Sequence, residues 1–135
     1  PQKKGRTIFG GDVVKYNEIW RLGANENTEI EFFKDAVFGG KKIPKGRYSM
    51  FCLPTADTWT IIINKDIDNW GNFNYSEKQD LLRVTAPIQK IDTLENFTMY
   101  FDDNNSLNMM WDNVKVSVPV TFIASPEKVK KGKNK

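Results

Sequence analysis

Along this chain apolar positions recur at every second residue far more often than at every third or fourth. In Thr28-Glu29-Ile30-Glu31-Phe32, Thr28, Ile30 and Phe32 share one face and two glutamates the other, as in a half-buried strand. Residues 96–101 alternate Phe97, Met99 and Phe101 with Thr98 and Tyr100, and residues 106–112 turn Leu107, Met109 and Trp111 inward. In residues 114–122, four valines and Phe122 alternate with Lys115, Ser117 and Thr121. Residues 59–64 (Trp-Thr-Ile-Ile-Ile-Asn) are apolar on both faces, which predicts a central strand covered on both sides.

Turn residues punctuate these runs. Gly39-Gly40 between residues 36–38 and 41–43 predicts a hairpin, because two glycines supply the positive φ angles of a two-residue turn. Pro44-Lys45-Gly46 launches a strand over 47–53, which Pro54 closes because proline has no N–H for the ladder. Shorter strands are expected over 6–9 and 80–85, one helical turn over 18–22, and irregular chain over 65–77. About eight or nine short strands without an amphipathic helix predict an all-β fold, an antiparallel β-sandwich spanning residues 1–123. Residues 124–135 read as a lysine-rich, disordered tail.

Composition narrows the chemistry. The 135 residues suffice for one domain with its own core, and no apolar run approaches the roughly 20 residues of a membrane-spanning helix. No signal peptide is present, and the first residue is Pro1 rather than methionine, as expected if an N-terminal segment has been removed. The formal charge of +3 is a property of the tail: residues 128–135 hold five lysines and no acid. Without them 15 basic side chains face 17 acidic ones, a body charge of −2, which argues against a nucleic-acid groove. The absence of histidine removes Ser-His-Asp and Cys-His catalysis and every imidazole metal site. The single cysteine, Cys52, lies in a strand-like run and reads as a small buried hydrophobe.

The densest chemistry lies in Ile19-Trp20-Arg21-Leu22-Gly23-Ala24-Asn25-Glu26. One reading makes Trp20 a stacking platform, with Arg21, Asn25 and Glu26 as polar contacts for a sugar, peptide or anion. The other pairs Arg21 with Glu26 to brace a buried loop, Trp20 plugging the sandwich and Gly23 permitting a tight turn. Trp70, Phe73 and Tyr75 extend the first reading into an aromatic, glycan-type platform if the two loops share an end of the fold. The stretch 66–77 resembles a calcium loop, with Asp66, Asp68, Gly71 and Glu77 at positions one, three, six and twelve. Trp70 stands where an oxygen ligand belongs and a strand replaces the leading helix, so neither a metal nor a cofactor is assigned. Glu26 with Asp66 or with Asp68 would be the carboxylates of a hydrolytic site, which needs a separation of roughly 5–9.5 Å, and no spacing in the sequence supports either pair.

The order of Gly5-Arg6-Thr7-Ile8-Phe9-Gly10, the Trp20–Glu26 motif, Gly39-Gly40 through Pro44-Lys45-Gly46-Arg47-Tyr48-Ser49-Met50-Phe51, and Trp59 through Lys65 resembles one family. With Trp70-Gly71, Tyr75 and Asp80-Leu81-Leu82-Arg83-Val84, it is similar to the bacterial domain of unknown function 2911, from Gly5 to Pro119. Leu22 departs from the usual threonine and Lys45 from a common alanine. The resemblance implies a β-sandwich exported behind a signal or lipoprotein leader, periplasmic or associated with the outer membrane, with a further strand upstream of Pro1. It implies no established activity. The expectation is therefore a non-catalytic binding or accessory module of the cell envelope, its partner an envelope protein, with no nucleic acid and no membrane span. The alternatives are a small-ligand or glycan-binding domain and a carboxylate-dependent hydrolase.

Overall fold

The alternating runs are strands. The computed structural model describes residues 1–23, 28–67 and 75–124. In chain order the strands are β1 (Thr28–Phe32), β2 (Ala36–Phe38), β3 (Lys41–Ile43), β4 (Gly46–Pro54), β5 (Thr58–Asn64), β6 (Asp80–Pro87), β7 (Gln89–Phe101) and β8 (Ser106–Phe122). They form two four-stranded antiparallel sheets, ordered β1-β4-β5-β6 and β3-β2-β8-β7, the sandwich that the alternation predicts. Among the described residues there is one 3-10 turn, Glu77–Gln79, and no α-helix; no helix is long and apolar enough to cross a membrane.

Between the sheets lies an aromatic cluster of Phe9, Trp20, Trp59, Phe97 and Trp111. Trp20 meets Trp59 edge-on at 5.3 Å and stacks beside Trp111 at 6.3 Å. Phe9 lies 5.4 Å from Trp59, and Phe97 lies 6.0 Å from Trp111. Such offset and edge-on pairs add about 0.5–1.5 kcal/mol each beyond the area they bury. The Trp111 indole N–H is also satisfied, donating to the Glu95 carbonyl at 2.9 Å.

Both faces of β5 are buried, as its unbroken apolar run predicts. Ile61 and Ile63 enter the inter-sheet core, while Ile62 and Phe51 are buried on the opposite face of the same sheet. Gly39 and Gly40 take φ +56° and +88°, the positive values that the hairpin requires. Pro54 closes β4 opposite Trp59, and β6 runs on to Pro87, where an edge strand tolerates a missing N–H.

Several expected elements differ. Residues 6–9 form no strand; Phe9 makes only an isolated bridge to Val14, which folds the Gly10-Gly11 loop back on itself. Residues 18–22 form no helical turn. Trp20 is extended, because the edge of β4 offers it both hydrogen bonds that a helix would have supplied. β7 begins seven residues before the expected start at Asn96.

The two strands expected over 106–112 and 114–122 are one element, β8, that doubles back on itself. Ser117 Oγ lies 2.5 Å from Asn108 Oδ1, and the Val120 N–H donates to the Asn105 carbonyl at 3.1 Å. Nine residues of straight strand would separate Asn108 from Ser117 by about 30 Å. Both pairs are centred between Asp112 and Asn113, so the chain reverses there. Asp112 accommodates the reversal in the left-handed region, at φ +52°.

Candidate functional site

The chain meets the same edge of β4 on both sides of the stretch that follows Trp20. Trp20 pairs with Cys52, and β1 resumes the pairing at Thr28 opposite Met50. Phe51 lies on β4 between these two pairings. Opposite residues of an antiparallel pair share a face, so the Trp20 indole points with Cys52 into the core. It is 7% exposed, ringed by Phe9, Trp59, Phe97 and Trp111, and offers no free face to a ligand. Leu22 is buried in the left-handed conformation at φ +58°, and its carbonyl accepts from Thr28 Oγ1 at 3.0 Å. Arg21 is half-buried. Asn25 and Glu26 lie outside the described residues, and with them the Arg21–Glu26 brace and the hydrolytic pair.

Tyr75 sits on the other face of that sheet. Its ring meets Phe51 edge-on at 5.1 Å, on the side away from Trp20. Trp20 and Tyr75 thus do not share a surface. Trp70 and Phe73, the remaining members of the aromatic platform, lie outside the described residues, as does Asp68 of the calcium-loop reading.

What surrounds Tyr75 is a polar network that pattern reading missed. The phenol lies 2.6 Å and 2.8 Å from the two Asp80 carboxylate oxygens and accepts from Arg83 Nη2 at 2.8 Å. Arg83 Nε donates to Asp80 Oδ2 at 3.0 Å, and Asn64 Nδ2 donates to Asp80 Oδ1 at 2.9 Å. Asn64 also donates to the Ser76 carbonyl, and its Oδ1 accepts from the Asp66 N–H. Ser49 Oγ completes the set by donating to the Asp66 carbonyl at 2.7 Å. Glu77, the last position of the calcium-loop reading, reaches toward Arg83 at 3.9 Å.

Burial and the bond to Asp80 push the Tyr75 phenol up to about 12, only partly opposed by Arg83. Burial pulls the Arg83 guanidinium down, but its bonds to Asp80 and Tyr75 outweigh this and leave it raised. The phenol therefore stays protonated at neutral pH and cannot serve as a base, while Asp80 is filled by three side-chain donors. Chemically this is a clamp on the two stems of the stretch 65–79. Burial likewise raises the Cys52 thiol well above its usual value, which leaves it a core atom rather than a nucleophile.

An open cleft lies at the other end of β5, about 17 Å away along the strand from Asn64. Its volume is about 260 Å³. Phe9, Ile88 and the buried Trp59 lie at its base, and Tyr16, Lys90, Asp112 and Asn113 contribute to its mostly polar walls beside the turn at Thr55 and Ala56. Tyr16 is held by Gly10: a Cβ there would come within 2.7 Å of the Tyr16 ring, and Gly10 takes φ +82°. The Asp112 carboxylate is anchored by Lys3 Nζ at 3.4 Å. Thr55 Oγ1 is committed to the turn, accepting from the N–H groups of Asp57 and Thr58. The arrangement provides a partly exposed aromatic ring, an anchored carboxylate, an amide and an ammonium group around a mostly polar cleft. It can stack on a ring and hydrogen-bond hydroxyls.

Five separate segments build this cleft, so no local motif announces it. Two partial signals exist in the sequence: the Gly10-Gly11 pair ahead of Tyr16, and the break in alternation at Asp112-Asn113.

A family model described as "Protein of unknown function (DUF2911)" matches residues 1–120. No curated protein and no solved structure matches the chain.

Proposed function

We propose that this chain, which belongs to the DUF2911 family, is a non-catalytic binding module that holds a small polyhydroxylated ligand, of glycan type, in the cleft beside Tyr16. The observation that carries the reading is the juxtaposition of the partly exposed Tyr16 ring with Asp112, Asn113 and Lys90 in one mostly polar cleft. Sugars present an apolar ring face together with directional hydroxyls, which is what such a mixed wall complements. A binding role rather than catalysis is supported by the lack of histidine, the buried Cys52 thiol, and the engagement of Tyr75 and Asp80 with each other. Export to the periplasm or the outer membrane, with a lipoprotein leader, extends what the family resemblance implies and belongs to the same proposal.

The test is a glycan panel followed by titration calorimetry on the best ligand. Tyr16→Ala and Asp112→Asn are expected to weaken binding at least about tenfold, in line with loss of one stacking or charged contact. Unchanged affinity in both variants overturns the assignment to this cleft. Turnover of the bound glycan would overturn the non-catalytic part.

A further inference from the structure

Two charged side chains line the cleft beside Tyr16, Lys90 and Asp112, and they are not equivalent. Asp112 already has a partner. Lys3 Nζ lies 3.4 Å from its carboxylate, and the same ammonium donates to the Arg6 carbonyl at 2.6 Å. Lys3 is fixed in turn, because its N–H donates to the Glu95 carbonyl at 2.8 Å and Gln2 pairs with Asn96 of β7. The Asp112 charge is therefore balanced by a lysine that does not itself line the cleft.

Lys90 has no such counterpart. Among the described residues it enters no ion pair. Its place in the ladder sets where it points. Lys90 lies opposite Val114, a core residue, and opposite residues of an antiparallel pair share a face. Ile88, two positions earlier, also packs against the core and lies at the base of the cleft. Lys90 thus occupies an inward position of β7 where the cleft opens, rather than a solvent-facing one. A lysine so placed lays its stem along apolar neighbours and presents its ammonium at the opening.

The surroundings add to that charge rather than cancel it. Immediate chain neighbours of the lining residues are Lys15, beside Tyr16, and Lys115, beside Val114, against one acid, Asp57, beside Ala56. With Lys3, Lys90 and Asp112 included, four lysines stand against two aspartates. The body of the chain is acidic, so this surplus is local.

We propose that the saccharide held in this cleft is an acidic one, a sugar whose ring carries a carboxylate or sulfate group, and that Lys90 receives that group. The inference rests on the glycan reading of the cleft and adds the charge of the ligand to it. Tyr16 stacks on the sugar ring, while Asn113 and the balanced Asp112 take hydroxyls. The acid group supplies the missing counter-charge to Lys90 in a charge-assisted hydrogen bond.

Titration calorimetry on the full chain compares matched oligosaccharides: oligogalacturonate with its methyl ester, oligoglucuronate with its methyl ester, and a sulfated galactan with its desulfated form. The acidic member of a pair is expected to bind at least about tenfold tighter at low salt, with the margin shrinking as salt rises. The uronate and sulfate pairs tell the two acid groups apart. Lys90→Gln should bring the ratio near one and Lys90→Glu should reverse it, with the melting temperature within a few degrees because the side chain is exposed. Tyr16→Ala should weaken both members alike and leave the ratio standing, since stacking does not depend on the charge of the sugar. Lys3→Gln, which leaves the Asp112 charge unbalanced, should weaken the acidic member more than the neutral one. Equal affinity within every pair, or a ratio that Lys90→Gln leaves unchanged, overturns this inference while the glycan reading stands. Failure of every saccharide to bind, neutral and acidic alike, overturns the glycan reading and this inference with it.

Discussion

Trp20 and Cys52 exchange both backbone hydrogen bonds, Trp20 N–H to Cys52 carbonyl and the reverse, each at 2.8 Å. That pair decides where the most chemically dense motif of the chain points. It sets the indole on the core face of β4, while Phe51, one residue away, faces Tyr75 on the other side. A motif that reads as a stacking platform contributes its aromatic ring to the core.

Trp20→Ala should accordingly behave as a large core truncation, costing about 3–5 kcal/mol. Urea unfolding checks this, with Trp20→Phe expected to recover much of the loss because an aromatic ring remains among Phe9, Trp59 and Trp111. A cost below about 1 kcal/mol would show that the indole is not packed as described.

The Tyr75 network makes stability depend on alkaline pH. The folded-state value, about 12, lies above the ordinary phenol value of about 10. The folded protein thus holds the proton more tightly, and the contribution is fully present below about pH 10 and lost as pH rises toward 12. Tyr75→Phe should flatten the loss of stability in that window and remove one phenol from the last step of the phenolate absorbance titration. Identical alkaline profiles for the two proteins would count against the network.

Gly39 and Gly40 both have positive φ, but only Gly39 is crowded. A Cβ at Gly39 would run into the Val84 methyls on β6, whereas one at Gly40 meets nothing. Gly40→Ala should cost about 1–2 kcal/mol from backbone strain alone. Gly39→Ala should add an overpacking cost of about 1–3 kcal/mol, measured by the same unfolding titration.

Cys52 is fully buried, and its thiol is shifted upward by that burial. It should resist thiol reagents in the folded protein and react at the rate of unfolding, so that labelling tracks the urea transition. Rapid labelling without urea would place the thiol outside the core.

The sequence by itself determined the strands and their faces. Side-chain direction in a strand has a period of two, so the runs 28–32, 59–64 and 114–122 carry their own burial pattern, and Gly39-Gly40 its own turn. It also determined which catalytic chemistries are unavailable, through the missing histidine and the solitary Cys52. Tertiary structure alone decided what these faces meet. Whether residues 18–22 coil or extend depended on a free edge at β4, thirty residues later in the chain. The reversal of β8 at Asp112, the gathering of Asn64, Tyr75, Asp80 and Arg83, and the five-segment cleft beside Tyr16 are all contacts between distant segments. Local periodicity reports that a side chain is buried or exposed. It does not say against which partner, because that is set by how two sheets close on one another.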